Sequence, residues 1–237
     1  MGKSTRITWE FPLIGLALCL LVTGHYMGLF VAPKEAMMGD VGRIFYAHVP
    51  TAWVALCTYL VAFICAVGAL WTARRGWDAS HEAAVEVGVV LNALLLFQGS
   101  IWARPTWGTY WTWDPRLTTT AVMVMSFSVV LLLRKLLADP ERRLRISGVA
   151  TVFAFVNVPL VYFSVKWWRT LHQDFSSPAT VDDRMVLALR ISAFGMLFLA
   201  AGLVGLRRRL ALMRMAHHDD APELPAAAPR LNLDGST

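Results

Sequence analysis

The chain has 237 residues, of which 57% are hydrophobic and 16% are charged, and its mean hydropathy is +0.52. A soluble domain of this size carries about 25% charged residues, so the composition excludes an ordinary soluble enzyme. The net charge of +6 is spread over several short segments and does not form the single basic region that nucleic-acid binding would need.

Six long apolar runs dominate the chain. A run of about 20 mostly apolar residues is long enough to cross a bilayer as a helix. In chain order the runs cover residues 11–31, 44–72, 83–103, 117–133, 146–165 and 185–206. We therefore predict an all-α integral membrane protein, a six-helix transmembrane bundle. The first run is too long for the apolar region of a signal peptide, so we expect it to be retained as a span.

Lysine and arginine are unevenly divided between the two sets of connecting segments. The set that includes both termini carries thirteen of them: Lys3, Arg6, Arg74, Arg75, Arg134, Lys135, Arg142, Arg143, Arg145, Arg207, Arg208, Arg209 and Arg214. The other set, the loops on the opposite side of the membrane, carries seven lysines and arginines. Because positive charge is retained on the inner side of a membrane, we predict that the N- and C-termini are cytoplasmic.

Two domains are predicted from composition. Residues 1–210 form the membrane domain, and residues 211–237, rich in Ala and Pro, form a disordered cytoplasmic tail. The sequence GKST near the N-terminus lacks the upstream glycine and strand of a phosphate-binding loop, so we predict no ATP hydrolysis by this chain. The three cysteines lie in apolar runs and form no C-x-x-C-H motif.

Two histidines fall in outer segments on different parts of the chain. His48 lies in YAHVP at the start of the second run, and His172 lies in KWWRTLHQ before the sixth. Imidazole is a good iron ligand, and a haem iron can take one ligand on each face of the ring. His48 and His172 are therefore candidate axial ligands, although a single histidine at a membrane interface is more often structural. His25 is a weaker third candidate.

Between the two histidines lies the outer segment WGTYWTWDPRLT, residues 107–118. Trp107, Trp111 and Trp113 would present their indoles to one flat ligand if the segment were extended. An interfacial aromatic belt is the alternative, and it stays open at this point. Asp114 is expected to position the loop. Six outer cations are candidate partners for carboxylates of the ligand: Arg43, Arg104, Arg116, Lys166, Arg169 and Arg184.

The motif WGTYWTWD, six spans and the two flanking histidines resemble the tryptophan-rich-motif haem-handling proteins of cytochrome c maturation, and among them the haem exporter protein C (CcmC) family. The resemblance covers residues 43–190. It implies that His48 and His172 ligate haem iron. It also implies a haem-binding surface of Trp107, Gly108, Trp111, Trp113 and Asp114, to which we add Arg116.

The resemblance further implies haem b as a non-covalent, transient cargo, held on the periplasmic side of a bacterial inner membrane. It implies delivery to a periplasmic haem chaperone (CcmE-like). The resemblance also implies assembly with three partners: the ATPase subunit (CcmA-like) and the membrane subunit (CcmB-like) of an ABC transporter, and a small single-span subunit (CcmD-like). The chain itself would be a binding and transfer subunit, not an enzyme.

Two other functions compete with this interpretation. A b-type cytochrome that carries electrons would need paired histidines deep in facing helices, and the sequence offers no second pair. A small-molecule permease would need a polar site at the midplane, where this chain has little polarity. The absorption spectrum of the purified protein would separate all three functions.

Overall fold

The computed structural model describes residues 8–172 and 181–219, and every regular element within these ranges is helical. Seven α-helices follow one another: α1 Glu10–Tyr26, α2 Phe45–Thr72, α3 Arg75–Trp107, α4 Pro115–Leu136, α5 Pro140–Phe155, α6 Asn157–Trp167 and α7 Asp183–Asp219. A π-helical turn, Met27–Val31, extends α1, and a 3₁₀ turn, Asp40–Ile44, precedes α2.

Six of the resulting segments are long and apolar enough to cross a membrane, which confirms the predicted fold class. The spans exceed the apolar runs because polar residues continue several helices; α3 spans Arg75–Trp107, for example. Helix α7 continues beyond residue 210, where we expected the tail to begin, and ends at Asp219. The remaining tail residues lie outside the described ranges.

Local sequence sets the helix boundaries around the outer loops. Helix α4 starts with Asp114 as its N-cap and Pro115 in the first turn, and α5 starts in the same way with Asp139 and Pro140. An Asp cap accepts a backbone N–H, and proline in the first turn has no N–H to lose. Helix α3 ends where Gly108 adopts a φ of 79°, a left-handed conformation that favours glycine.

The fifth span consists of two helices, α5 and α6, separated at Val156. Pro159 has no N–H to donate to the Phe155 carbonyl, which interrupts the helical hydrogen bonding. The Asn157 side chain at this break donates to the Thr119 carbonyl oxygen of α4 at 2.7 Å. A polar residue inside the bilayer is thereby satisfied by a neighbouring helix.

Aromatic stacking and small residues hold the bundle together. Tyr59 of α2 stacks on Phe127 of α4 with ring centroids 3.7 Å apart, and both side chains are fully buried. Helices α1 and α7 approach closely at glycines: a methyl group on Gly24 would lie 2.4 Å from the Ser192 hydroxyl oxygen. Small residues permit such close backbone approach in membranes.

The two ends of the bundle differ in chemistry. The aromatic end carries His48, Trp107 and Asp114. The arginine end carries Arg134 and Arg207, as well as both ends of the described chain, since Arg209 donates to the Thr8 hydroxyl at 2.9 Å. This arrangement agrees with the charge asymmetry in the sequence, and the cytoplasmic location of the arginine end stays a prediction.

Candidate functional site

His48 lies in the first turn of α2, at the aromatic end. Its ring meets that of Trp102 edge to face, with centroids 5.2 Å apart and an interplanar angle of 77°. The imidazole lies against Gly99 of α3, where a methyl group would lie 3.4 Å from Cε1 of His48, at van der Waals contact. Nδ1 of His48 is shielded from solvent and has no hydrogen-bond partner among the described residues. An unpaired buried nitrogen costs about 1–3 kcal/mol, so this ring is suited to a further ligand.

His172 is close enough to His48 for the charge of one ring to act on the other, and the charge of Arg116 also acts on His48. The two histidines are therefore brought together from α2 and from the loop after α6. The described residues contain no group of three or more His, Cys, Asp or Glu side chains able to hold a metal ion. A pair of imidazoles suits a metal that brings its other ligands with it, as porphyrin iron does.

Asp114 connects the aromatic segment to the loop that carries His172. Its carboxylate accepts from the Arg116 backbone N–H at 2.9 Å, from the Thr170 hydroxyl at 2.7 and 2.8 Å, and from the Leu171 backbone N–H at 2.7 Å. The His172 N–H in turn donates to the Thr170 hydroxyl at 3.1 Å. These hydrogen bonds support the expected positioning role of Asp114, because its carboxylate joins the start of α4 to the backbone just before His172.

The tryptophans of the aromatic segment do not lie in one plane. Trp107 is the last residue of α3, whereas Trp111 and Trp113 follow the turn at Gly108. The rings of Trp111 and Trp113 meet at 88°, with centroids 5.9 Å apart. Trp113 is 83% exposed. The segment therefore holds two perpendicular indoles, one of them largely exposed, in place of the flat row that an extended chain would give.

Arg116 differs from most of the other outer cations because one of its guanidinium nitrogens is buried without a partner in the described structure. Arg43 donates to the Gly28 carbonyl and to Asp40, and Arg184 pairs with Asp182. Arg104 donates to the Gly108 carbonyl and lies over the Tyr110 ring. Arg116 is therefore the arginine best placed near His48 to receive a carboxylate.

Further buried polar atoms at the aromatic end lack partners within the described residues: Gln98 Oε1, Trp102 Nε1, Thr112 Oγ1 and Thr118 Oγ1. Sequence reasoning assigned no site role to Trp102 or Thr170. Gln98 and Trp102 are four residues apart, so helical periodicity would have placed both side chains on the same face of α3. No local pattern identifies Thr170, because its role depends on a contact with distant Asp114.

The remaining histidines belong to other surroundings. His25 bonds the Leu21 carbonyl of its own helix through Nδ1 at 2.7 Å. His81 is fully buried toward the arginine end, where its Nε2 bonds the Thr151 hydroxyl at 2.7 Å. His217 follows on α7 at that same end. His172 is therefore the histidine that the described structure brings near His48.

The family model and the relatives that match this chain all point to the same protein family. The family model described as "Heme exporter protein C" matches residues 4–222. Heme exporter protein C of Bradyrhizobium diazoefficiens is 33% identical over 202 residues, 83% of this chain and 76% of the relative. Its namesake in Escherichia coli K12 is 32% identical over 210 residues, 87% and 85% of the two chains.

A ccmC-like mitochondrial protein of cytochrome c biosynthesis from Marchantia polymorpha is 32% identical over 164 residues, 69% of each chain. The match therefore extends across both histidine segments, the aromatic segment and all six spans. The chain belongs to the heme exporter protein C (CcmC) family.

Proposed function

We propose that this chain is the haem-handling subunit of cytochrome c maturation, with His48 and His172 as axial ligands of a non-covalently bound haem b. The observation that carries the proposal is the convergence of His48 and His172 at one end of the bundle, with the second histidine loop fixed by Asp114. The relatives' names, which specify heme export and cytochrome c biosynthesis, support haem as the cargo.

Arg116 would pair with a haem propionate, because its unpartnered guanidinium nitrogen needs an acceptor. Trp107, Gly108, Trp111, Trp113 and Asp114 would form the surrounding aromatic surface. Indole contact adds apolar affinity without a covalent bond, and the sequence has no C-x-x-C-H for thioether attachment. Such a site can release its cargo, which a transfer subunit must do.

The exposed Trp113 would meet the partner that accepts haem, a periplasmic haem chaperone of the CcmE type. The relatives are named as components of a heme exporter, which supports assembly with ABC transporter subunits of the CcmA and CcmB types and a small CcmD-like subunit. ATP hydrolysis would belong to those partners. The arginine end would face the cytoplasm and the aromatic end the periplasm of a bacterial inner membrane.

The test is the visible spectrum of the full-length protein purified from haem-replete cells. We expect a single-site bis-imidazole haem spectrum, and His48→Ala and His172→Ala should each lower retained haem and shift the spectrum. His25→Ala is the matched control, since His25 bonds within its own helix. Equal haem in all three variants would exclude the ligand pair; a multi-haem spectrum would favour an electron carrier, and a colourless protein a permease.

A further inference from the structure

A cavity of about 760 Å³ opens at the arginine end, far from the two histidines. It lies where the end of α2, the starts of α3 and α5 and the last turns of α7 come together. Four arginines and three carboxylates line it, alongside apolar side chains. A lining that is both charged and apolar is suited to a ligand with a charged part and an apolar part.

Two of the three carboxylates are already neutralised from within the protein. Asp78 accepts from Arg134 at 2.7 Å, in a pair whose side chains are almost entirely buried. Glu82 accepts from Arg134 and from Arg214, each at 2.8 Å. Arg134 lies behind the lining and adds a fifth arginine to the cluster. Its buried charge joins α4 to α3 beneath the cavity.

The third carboxylate, Glu141, accepts from Arg145 at 2.6 Å. Five arginines thus stand against three carboxylates, which leaves the cavity positively charged. Arg143 lines the cavity, and its Nε is buried without a partner in the described part of the chain. A planar guanidinium that lacks acceptors is suited to the oxygens of a phosphate.

The apolar part of the lining faces the lipid. Leu70 and Val149 line the cavity and are 36% and 47% exposed, which opens its wall to the surroundings of the helices. Trp71, beside Leu70, is 87% exposed, as expected of a tryptophan at the level of the lipid headgroups. The charged lining therefore lies at headgroup depth and the apolar lining next to it.

We propose that this cavity binds the phosphate headgroup of an anionic phospholipid from the adjacent leaflet, with Arg143 as a principal contact. Basic pockets between helices are suited to anionic lipid headgroups, and an arginine that lines such a pocket is expected to strengthen binding roughly fivefold. The apolar wall at Leu70 and Val149 favours a lipid over a soluble anion, which would leave that surface uncovered.

The test compares thermal stabilisation of the full-length protein in mixed micelles by phosphatidylglycerol and by phosphatidylethanolamine with the same acyl chains. We expect phosphatidylglycerol to raise the melting temperature more, and Arg143→Gln to weaken its apparent affinity roughly fivefold. Arg142→Gln is the matched control, because Arg142 is next in sequence, 78% exposed in its side chain and absent from the lining.

Three results would overturn the proposal: equal stabilisation by both lipids, equal weakening by Arg142→Gln and Arg143→Gln, or inorganic phosphate stabilising as well as phosphatidylglycerol. Arg143→Lys keeps the positive charge and should retain most of the stabilisation by phosphatidylglycerol. It keeps the proposal testable if Arg143→Gln fails to fold. Both variants should keep wild-type haem content, so the result is independent of the proposed haem site.

Discussion

The Thr170 hydroxyl donates to both carboxylate oxygens of Asp114, at 2.8 and 2.7 Å, across 56 residues of sequence. Asp114 is buried, and it also caps helix α4. One side chain therefore fixes the start of a helix and the backbone that leads to His172. The aromatic segment and the second histidine loop behave as one structural unit because this carboxylate is shared between them.

Thr170→Val should lower haem retention because valine keeps the shape of threonine but loses the hydroxyl. The Asp114 carboxylate would lose the one hydrogen bond that the hydroxyl shares between its two oxygens, and the His172 N–H would lose its acceptor. We expect destabilisation of about 1–3 kcal/mol. Haem content per protein and thermal unfolding measure the two effects. Thr23→Val, which removes an exposed hydroxyl bonded to Cys19 within α1, should leave both unchanged.

Asp114→Asn should separate capping from loop positioning. The amide keeps one oxygen for the Arg116 N–H but offers an NH₂ group where the Leu171 N–H needs an acceptor. We expect wild-type helical content by circular dichroism and reduced haem retention. Asp139→Asn is the control, because Asp139 caps α5 through the same Asp-Pro pattern. Equal haem loss in both variants would show that capping alone matters.

Trp113→Ala should impair haem delivery more than stability. The indole is 83% exposed, so its removal leaves no cavity in the core. The measurement is cytochrome c output in cells whose own copy of the gene is deleted, together with the melting temperature of the purified variant. Trp71→Ala removes an indole that is 87% exposed near the arginine end and should preserve delivery. Normal output from Trp113→Ala would argue against a transfer surface there.

Arg134→Gln should be among the most destabilising single changes in the chain. Arg134 is nearly fully buried and holds Asp78 and Glu82, which would be left without their cation. Breaking one partner of a buried ion pair costs about 3–5 kcal/mol. Thermal unfolding in detergent measures the loss. Arg142→Gln removes an exposed arginine 3.8 Å from Asp139 and should change stability by less than about 1 kcal/mol.

Gly24→Ala should destabilise the contact between α1 and α7. The added methyl group would lie 2.4 Å from the Ser192 hydroxyl and 2.8 Å from its backbone nitrogen, which cannot move freely. Overpacking of this kind costs about 1–3 kcal/mol. On the same helix, Gly15→Ala meets nothing within 4 Å. Because alanine favours a helix over glycine, Gly15→Ala should be neutral or slightly stabilising in the same unfolding assay.

The six spans and several helix boundaries could be predicted from local sequence. Apolar length identified each span, and the Asp-Pro pairs coincide with the starts of α4 and α5. Trp107, Trp111 and Trp113 were expected to share one plane only if the segment were extended; the turn at Gly108 separates Trp107 from the other two, and the rings of Trp111 and Trp113 are perpendicular. Alternation along a chain predicts a common face only where the backbone is straight.

The surroundings of Arg134 could not be predicted from the local sequence. Its position at the end of an apolar run suggested an inner loop, yet it lies buried against Asp78 and Glu82. These acids come from the start of α3, and they neutralise a charge that would otherwise be costly to bury. Burial here follows from the packing of α3 against α4, which the hydropathy of either segment does not specify.

The sequence by itself determined the membrane class and the number of spans, because a chain in lipid must satisfy its backbone hydrogen bonds within each apolar segment and therefore forms helices. Only the tertiary structure decided that His48 and His172 approach each other, that Asp114 holds Thr170, and that Arg143 lines a cavity at the opposite end. These contacts join residues on different helices and loops, so they depend on how the spans pack against one another.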